Sequence, residues 1–379
     1  MTETLKTTTT MERETRTRAE NPITKPLPPE TFVDFREGVA KPGDPTGDLA
    51  YNAEMRWETV SDKGYLTPVG SFFVRNHAPT PTIDTASWAL RVEGPGVKRS
   101  LELTYEDLSD MPRVSVVRAL ECAGNGRAFF EEVQGRQVDG IPWRLGAVGV
   151  AEWNGVPLRE VLERARLKKS ARDVMLESLD AVRMGRPLPV EKAIEDDTLL
   201  AFGMNGELLT PDHGFPVRAV VSGWAAVASV KWLGRIYVSE TPLSSPWNSD
   251  KYVLTGGEFG EGREPVTLRG VKSALELSWP ARLPAGRHLL CGRSWSGHGA
   301  ISRVEYSVDG GPWHGARLFG KNVPGAWARW SFGWAAEPGR HEIRVRANDE
   351  AGNTQPDEVG WNDLGYLYDG VVGHPVEVL

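Results

Sequence analysis

The stretch LECAGNGR, residues 120–127, places a thiol where it could do chemistry. Cys122 follows the apolar run RVSVVRAL, predicted to be a strand, and precedes a glycine-rich turn that ends at Arg127. A side chain there lies at the open end of a sheet, and a nearby arginine favours the thiolate. Cys122 is therefore a candidate nucleophile or soft-metal ligand, with a small core residue as the alternative. A zinc site is disfavoured, because the chain has only two cysteines and no CxxC pair.

Two further stretches place a histidine beside an arginine at predicted strand ends. They are FVRNH, residues 73–77, and DHGFPVR, residues 212–218. Lys231 follows in SVKWLGRIYV, which we predict to be a strand throughout. The forked guanidinium of arginine suits phosphate and other oxyanions, so arginine-bearing strand ends in one domain predict an anion site. Spacing alone does not show whether these residues meet in space.

The bulk composition limits the class of partner. The chain has 379 residues, enough for two or three domains, and a formal net charge of -7. That charge argues against nucleic-acid binding, so any anion site must be a local cluster of cations. No stretch approaches the roughly 20 apolar residues that span a bilayer, and the polar N-terminus lacks the apolar core of a secretory signal. We expect a cytoplasmic protein that binds neither nucleic acid nor membrane.

The hydrophobic pattern predicts an α+β domain followed by a β-sandwich. Residues 1–30 are too polar to build a core and are predicted to be a disordered tail. Residues 31–262 show mostly strands and few helices. In residues 263–379, short strands recur at regular spacing with Gly, Pro and Asn between them, which is typical of an immunoglobulin-like sandwich. Cys291 falls in one of these strands and is predicted to be a core residue.

Local signals within the first domain predict three elements. Thr104 and Asp107 have the spacing of a capping box at the start of a short helix. Apolar residues at helical spacing predict an amphipathic helix over 158–165. Asn205 and Gly206 predict the turn of a hairpin.

Four motifs, in their order along the chain, resemble the molybdenum-cofactor domain of the sulfite oxidase family: FFVRNH, LECAGNGR, DHGFPVR and SVKWLGR. The later stretches ISRVEYSVDGGPW and NTQPDEVGWN resemble the C-terminal dimerisation domain of that family. The resemblance spans roughly residues 65–379, and several separated motifs are far more specific than one. It implies a mixed α/β domain that binds molybdopterin, an immunoglobulin-like dimerisation domain and a homodimer.

The resemblance also implies roles for individual residues. The thiolate of Cys122 would be the only protein ligand to the molybdenum of a molybdopterin cofactor. Arg75 and Arg127 would bind the substrate, and Tyr252 would form a hydrogen bond near the reacting group. The cofactor-binding residues that it implies are Phe73, Val74, Arg75, Asn76, His77, Asp180, His213, Arg218, Ser229, Val230 and Lys231.

The activity that the resemblance implies is oxidation of sulfite to sulfate by oxygen-atom transfer. Electrons would pass to an external acceptor, a cytochrome or oxygen, since the sequence has no CxxCH motif and we predict no haem. Sulfite-oxidising members carry arginines where this chain has Gly126 and Leu364, and the residues before Tyr252 are also less basic. Another small substrate, such as nitrate or a different sulfur compound, is therefore the alternative.

A non-enzymatic alternative treats the tryptophan-rich sandwich as a module that binds a sugar or a protein, beside a first domain that has lost its metal. It is disfavoured because Cys122 is retained together with both pairs of histidine and arginine at strand ends.

Overall fold

Strands dominate the structure, and its helices are short. The structure is a computed structural model that describes residues 31–34 and 50–379, so the tail predicted for residues 1–30 lies outside the described residues. The helices of the described part are α1 (Tyr105–Ser109), α2 (Ala128–Glu132), α3 (Leu158–Arg164), α4 (Val190–Ala193) and α5 (Pro246–Ser249). Within the same residues, no helix is long and apolar enough to cross a bilayer.

The N-terminal domain is built on two five-stranded sheets and a smaller one. The small sheet joins β1 (Phe32–Asp34), β2 (Asn52–Met55) and β3 (Val74–Arg75). One large sheet contains β6 (Val114–Glu121), β7 (Val148–Pro157), β10 (Leu199–Met204), β11 (Glu207–Leu208) and β12 (Arg218–Val220). The other contains β4 (Ala89–Glu93), β5 (Leu101–Thr104), β8 (Asp173–Ser178), β9 (Gly185–Pro189) and β13 (Leu233–Ser239). All pairs are antiparallel except β13 with β4.

The C-terminal domain is a sandwich of two sheets. The first contains β16 (Lys272–Leu275), β18 (Gly286–Trp295), β21 (Arg317–Asn322) and β22 (Trp327–Ala336). The second contains β17 (Ala281–Leu283), β19 (Ile301–Val308), β20 (His314–Gly315), β23 (Gly339–Asp349) and β24 (Gly373–Val378). Side chains from both sheets, among them Trp330 and Ile343, form one core. The predicted α+β class and the sandwich are confirmed.

The predicted boundary at residues 262/263 lies inside a small hairpin between the domains. Its strands are β14 (Val253–Leu254) and β15 (Glu264–Pro265), which pair antiparallel. A shared apolar cluster, in which Trp57 stacks on Trp295 with ring centroids 5.9 Å apart, joins the two domains. The exact boundary stays a prediction.

The three elements predicted from local sequence signals are present: the capping box, the amphipathic helix and the hairpin turn. The Thr104 side chain accepts from the backbone N–H of Asp107 at 3.1 Å, and the Asp107 carboxylate accepts from the backbone of Thr104 at 3.0 Å. Helix α3 buries its apolar face, and it ends one residue before the predicted limit of 165. Asn205 and Gly206 form the turn between β10 and β11, both with positive φ.

Two local predictions were wrong. The strand predicted for SVKWLGRIYV begins only at Leu233, because Trp232 has φ +52° and Ser229 ends a 3₁₀ turn over Ala226–Ala228. Cys291 is partly exposed rather than in the core, since alternate residues of a strand face opposite sides and its neighbour Leu290 takes the core side. The strand predicted for FVRNH is short. It consists of β3 alone, so that Asn76 and His77 directly follow its end, as the sequence predicted.

Candidate active site

A cavity lies where β3, β6 and β8 end. Eleven of the residues predicted from the sequence line it: Phe73, Arg75, Asn76, His77, Cys122, Asp180, His213, Arg218, Ser229, Lys231 and Tyr252. Three others do not. The side chains of Val74 and Val230 are buried in the protein, and Arg127 lies behind the wall. The fold therefore brings together motifs that lie more than 150 residues apart in the chain.

Cys122 is presented by a tight turn directly after β6. Its backbone N–H donates to the carbonyl of Ala147 at 2.9 Å, and its own carbonyl accepts from the N–H of Asn125 at 2.9 Å. The side chain is 6% exposed, lines the cavity and packs within an apolar cluster that contains Phe72 and Trp143. The turn thus places a free thiol on the wall of the cavity.

Two cations, Arg218 and Lys231, face the same cavity. The Arg218 guanidinium donates to the carbonyls of His213 at 2.9 Å and Ser229 at 3.1 Å. The Lys231 ammonium donates to the side-chain oxygen of Asn76 and to the carbonyl of Asp212. Lys231 is half-buried as a residue, and these two acceptors hold its ammonium group. Burial, followed by the charge of Arg218, lowers the pKa of Lys231 to about 7. Burial lowers the pKa of Arg218 to about 9.

His213 is held as a neutral imidazole. Burial, together with the nearby cations Lys231 and Arg218, lowers its pKa to about 4. Its Nε2 lies 3.2 Å from the carbonyl of Phe72, to which it donates, and its Nδ1 lies 2.7 Å from the hydroxyl of Thr210. His213 therefore adds a polar wall to the cavity without adding charge at neutral pH.

Arg75 and Asn76 are fixed by the neighbouring strand β2. The Asn52 amide oxygen accepts from the Arg75 guanidinium at 3.2 Å and from the backbone N–H of Asn76 at 3.0 Å. The Arg75 guanidinium also donates to the carbonyl of Asn76. On the opposite wall, the Asp180 carboxylate accepts from the Ser178 hydroxyl at 2.5 Å. These contacts fix the polar side chains of the cavity.

An aromatic group closes one side of the site. The hydroxyl of Tyr252 lies 2.6 Å from His77 Nε2, and burial raises the pKa of Tyr252 far above its usual range. The Tyr252 ring stacks on Tyr366, with centroids 5.0 Å apart and planes 16° from parallel. The sequence interpretation missed Tyr366, although it lies in the same late segment as Trp361. It also missed Asp212, which belongs to the DHGFPVR motif and lines the cavity.

Arg127 is engaged by the protein itself. Its guanidinium donates to the carbonyls of Ile141 at 3.1 Å and Leu364 at 3.2 Å, and it lies over the Tyr366 ring at 5.0 Å. Arg127 is 8% exposed. Gly126 stands where the family resemblance implies an arginine. It has φ +97°, and a Cβ there would lie 2.9 Å from the carbonyl of Tyr368. Backbone geometry therefore excludes an arginine at Gly126 unless the segment carrying Tyr368 shifts.

The side chains present fit an anionic, metal-bearing cofactor. Burial lowers the pKa values of Arg218 and Lys231, the charge of Arg218 lowers that of Lys231 further, and an anion bound between them offsets both effects. The thiol of Cys122 suits a soft metal once it is deprotonated.

Comparison with known families matches both domains. The oxidoreductase molybdopterin binding domain matches residues 77–247, and the Mo-co oxidoreductase dimerisation domain matches residues 284–371. The sulfane dehydrogenase SoxCD from Paracoccus pantotrophus has a similar solved structure. It superimposes with a TM-score of 0.77 at 31% identity, and the match covers 86% of this chain and 84% of that chain.

Sulfite oxidases are similar over most of the sequence. The chain is 38% identical to sulfite oxidase of Gallus gallus over 343 residues, which cover 84% of this chain and 74% of the chicken protein. It is 35% identical to mitochondrial sulfite oxidase of Homo sapiens, covering 84% of this chain but only 62% of the human protein. An inducible nitrate reductase of Glycine max is 32% identical, over 85% of this chain and 40% of its own length. The chain therefore belongs to the sulfite oxidase family of molybdopterin-dependent oxidoreductases.

Proposed function

We propose that this oxidoreductase converts sulfite to sulfate by oxygen-atom transfer at a molybdenum centre ligated by Cys122. One observation carries the proposal: the Cys122 thiol lines the same cavity as the buried Arg218 and the half-buried Lys231. A thiolate ligand and an anion cradle are what a phosphate-bearing molybdenum cofactor requires. When bound, that cofactor supplies the two-electron chemistry, and the protein supplies ligation, position and charge.

The chain's own residues divide this work. Asn76, His77, Asp180, His213, Arg218, Ser229 and Lys231 hold the cofactor, with the backbone at Phe73, Val74 and Val230. Arg75 attracts the oxyanion substrate from the cavity wall. Tyr252 stays protonated at neutral pH, because burial raises its pKa, and its hydroxyl oxygen lies 2.6 Å from His77 Nε2. Arg127 supports the aromatic wall through its contact with Tyr366.

A second candidate substrate is a sulfur compound other than sulfite. The observation that favours it is the position of Arg127, whose guanidinium is engaged by two carbonyls, while Leu364 offers no charge. A substrate with less negative charge needs fewer free cations. The similarity to a protein named a sulfane dehydrogenase supports the same class of substrate. Nitrate is a further alternative, supported by the similarity to a plant nitrate reductase.

The proposal extends to partners and location. Electrons pass to an external acceptor, a cytochrome or oxygen. The enzyme is a homodimer through its C-terminal domain, supported by the match to a dimerisation domain over residues 284–371. The absence of haem and the cytoplasmic location stay predictions.

The test is sulfite-dependent reduction of ferricyanide by full-length protein whose molybdenum content has been measured. We expect turnover in proportion to bound molybdenum. Cys122→Ser should keep the fold and the pterin but lose activity at least about 100-fold, because a neutral hydroxyl replaces a thiolate ligand. Cys291→Ser is the matched control, since that thiol lies on the sandwich away from the cavity.

Two outcomes would contradict the proposal. Unimpaired turnover in Cys122→Ser would remove the cysteine from the metal site. Full molybdenum with negligible sulfite oxidation would reject sulfite. In that case, two further assays identify the substrate class. Reduction of ferricyanide with a persulfide as substrate would indicate another sulfur compound, and reduction of nitrate by a reduced viologen would indicate nitrate.

A further inference from the structure

The strand that presents Cys122 is tied to the C-terminal domain by a buried charged contact. Glu121, which directly precedes Cys122 on β6, is 1% exposed. Lys272 at the start of β16 places its Nζ 2.9 Å from one carboxylate oxygen of Glu121. Trp295 at the end of β18 donates its indole N–H to the other oxygen at 2.9 Å. Two strands of the sandwich therefore hold the residue next to the thiol.

The same lysine also holds the far side of the turn. The Lys272 ammonium donates to the backbone carbonyl of Asn125 at 2.7 Å. The Asn125 amide donates to Glu121 at 2.9 Å, and its backbone N–H donates to the carbonyl of Cys122. One ammonium group thus contacts both the residue before Cys122 and the residue three positions after it.

Burial makes these contacts strong and their loss costly. Lys272 is 3% exposed and Asn125 is fully buried. A second cation, Arg269, is more distant, with its Nη1 4.0 Å from Glu121. Without the Lys272 ammonium, the carboxylate of Glu121 loses its nearest charged partner and the Asn125 carbonyl loses a donor. A buried charge and a buried acceptor with missing partners destabilise the local structure that contains them.

We propose that Lys272 is a positioning residue for the Cys122 thiol. By holding Glu121 and Asn125 together, it fixes the turn in the one conformation that points the thiol into the cavity. Lys272 acts on the same thiol to which the proposed function assigns the metal, but it does not line the cavity itself. The C-terminal domain thereby sets the geometry of a site that lies in the other domain.

The first test uses full-length, cofactor-free protein and hydrogen exchange of backbone amides. In Lys272→Met, we expect amides of residues 122–127 to exchange about tenfold faster or more, because the turn opens more often. The matched control is Arg293→Met, which removes another buried cation that joins the domains. Arg293 pairs with Glu276 at 2.7 Å and donates to the carbonyls of Val60 and Gly64 at 3.0 Å. Its loss should speed exchange near residues 60–65 and leave residues 122–127 unchanged.

The second test separates positioning from general stability in the cofactor-loaded enzyme. Lys272→Met should lower kcat about tenfold and leave KM within about twofold, because the side chains that line the cavity are untouched. Arg293→Met should change neither constant by more than about twofold. Molybdenum content is measured for every variant, so that rates are expressed per metal.

Unchanged exchange in residues 122–127 of Lys272→Met, or equal acceleration there in Arg293→Met, would overturn the proposal. If Lys272→Met fails to fold, Glu121→Gln replaces it, since it removes the charge and keeps the shape. The same local acceleration is then expected, and its absence again overturns the proposal. Failure of sulfite oxidation in the wild-type enzyme would reject the proposed function and leave the exchange result standing.

Discussion

Lys231 is a residue whose ionisation changes the charge of the cavity near neutral pH. Its pKa of about 7 results from burial and from the charge of Arg218, partly offset by Asp212. Arg218, with a pKa of about 9, and His213, with a pKa of about 4, do not change charge between pH 6 and 8. Within that window, the cofactor-free cavity therefore loses positive charge at Lys231 as the pH rises.

We predict that cofactor-free protein binds sulfate more weakly as the pH rises from 6 to 8. The lowered pKa means that Lys231 is charged below about pH 7 and neutral above it, so an anion loses a partner with increasing pH. The expected loss of affinity is roughly tenfold, measured by calorimetry with sulfate, whose own charge is constant in this range. Lys231→Met should bind weakly at both pH values, whereas Lys321→Met, at an exposed lysine, should behave as wild type. A wild-type affinity independent of pH would contradict the prediction.

Residue types and local spacing made Cys122, His213 and Lys231 candidates for a common site, because a thiol precedes a glycine-rich turn and several basic residues lie at predicted strand ends. Asp180, Ser229 and Tyr252 were predicted only from the resemblance to a known family, and neither route showed how each residue is used. The state of Arg127 could not be predicted, because its guanidinium is engaged by the carbonyl of Leu364, 237 residues further along the chain. Backbone carbonyls carry no sequence signal, so such a contact is found only in the folded structure.

At the scale of elements, the turn after β6 determines which residues can follow Cys122. Gly126 has φ +97°, and a Cβ there would lie 2.9 Å from the carbonyl of Tyr368 and 3.0 Å from its Cβ. Tyr368 cannot move easily, because its ring packs against Phe129 and Phe130. The glycine is thus required by the backbone and by the neighbouring segment together.

Gly126→Ala is expected to lower the free energy of unfolding by about 1–3 kcal/mol, since an L-residue is strained at this φ and has no room for its Cβ. Urea unfolding measures the change. Gly315→Ala on β20 is the control, because nothing lies within 4 Å of its Cβ position. Equal stabilities of the two variants would show that Tyr368 adjusts freely.

Elements stabilised by contacts within a few residues were predicted well, and those that depend on contacts between separate segments were not. The capping box at Thr104 and the turn at Asn205 satisfy backbone groups within a few residues, so their sequence signals suffice. The strand through Lys231 was predicted too long, because the positive φ of Trp232 breaks it. Trp232 donates its indole N–H to the carbonyl of Pro211 at 2.8 Å, a contact between segments that local pattern does not encode.

At the scale of the whole molecule, the two domains share a large apolar contact and several buried polar ones. Trp57 and Phe130 of the N-terminal domain pack with Trp295, Trp327 and Tyr368 of the C-terminal domain. The immunoglobulin-like class of the second domain was predictable from its strand rhythm. The residues that its tryptophans pack against were not predictable, because an apolar side chain in a sequence indicates burial but does not indicate which residues will surround it.

The protein is expected to be a dimer of about twice 41.7 kDa in solution. Static light scattering over a series of micromolar concentrations measures the mass. A homodimer mass that persists on dilution to about 1 μM supports association through the segment matched to a dimerisation domain. A monomer mass at all concentrations would count against it.

The late segment that reaches Arg127 and Tyr252 has a consequence for biosynthesis. The Leu367 N–H donates to the carbonyl of Ala123 at 2.9 Å, and Tyr366 stacks on Tyr252, so this late segment supports the cavity wall beside Cys122 from behind. A growing polypeptide has made the thiol long before it has made this segment. The residues that line the cavity have all been made once Tyr252 is translated, but the segment that supports Tyr252 follows more than 100 residues later, so we expect the wall to become rigid only after residue 367 has been translated.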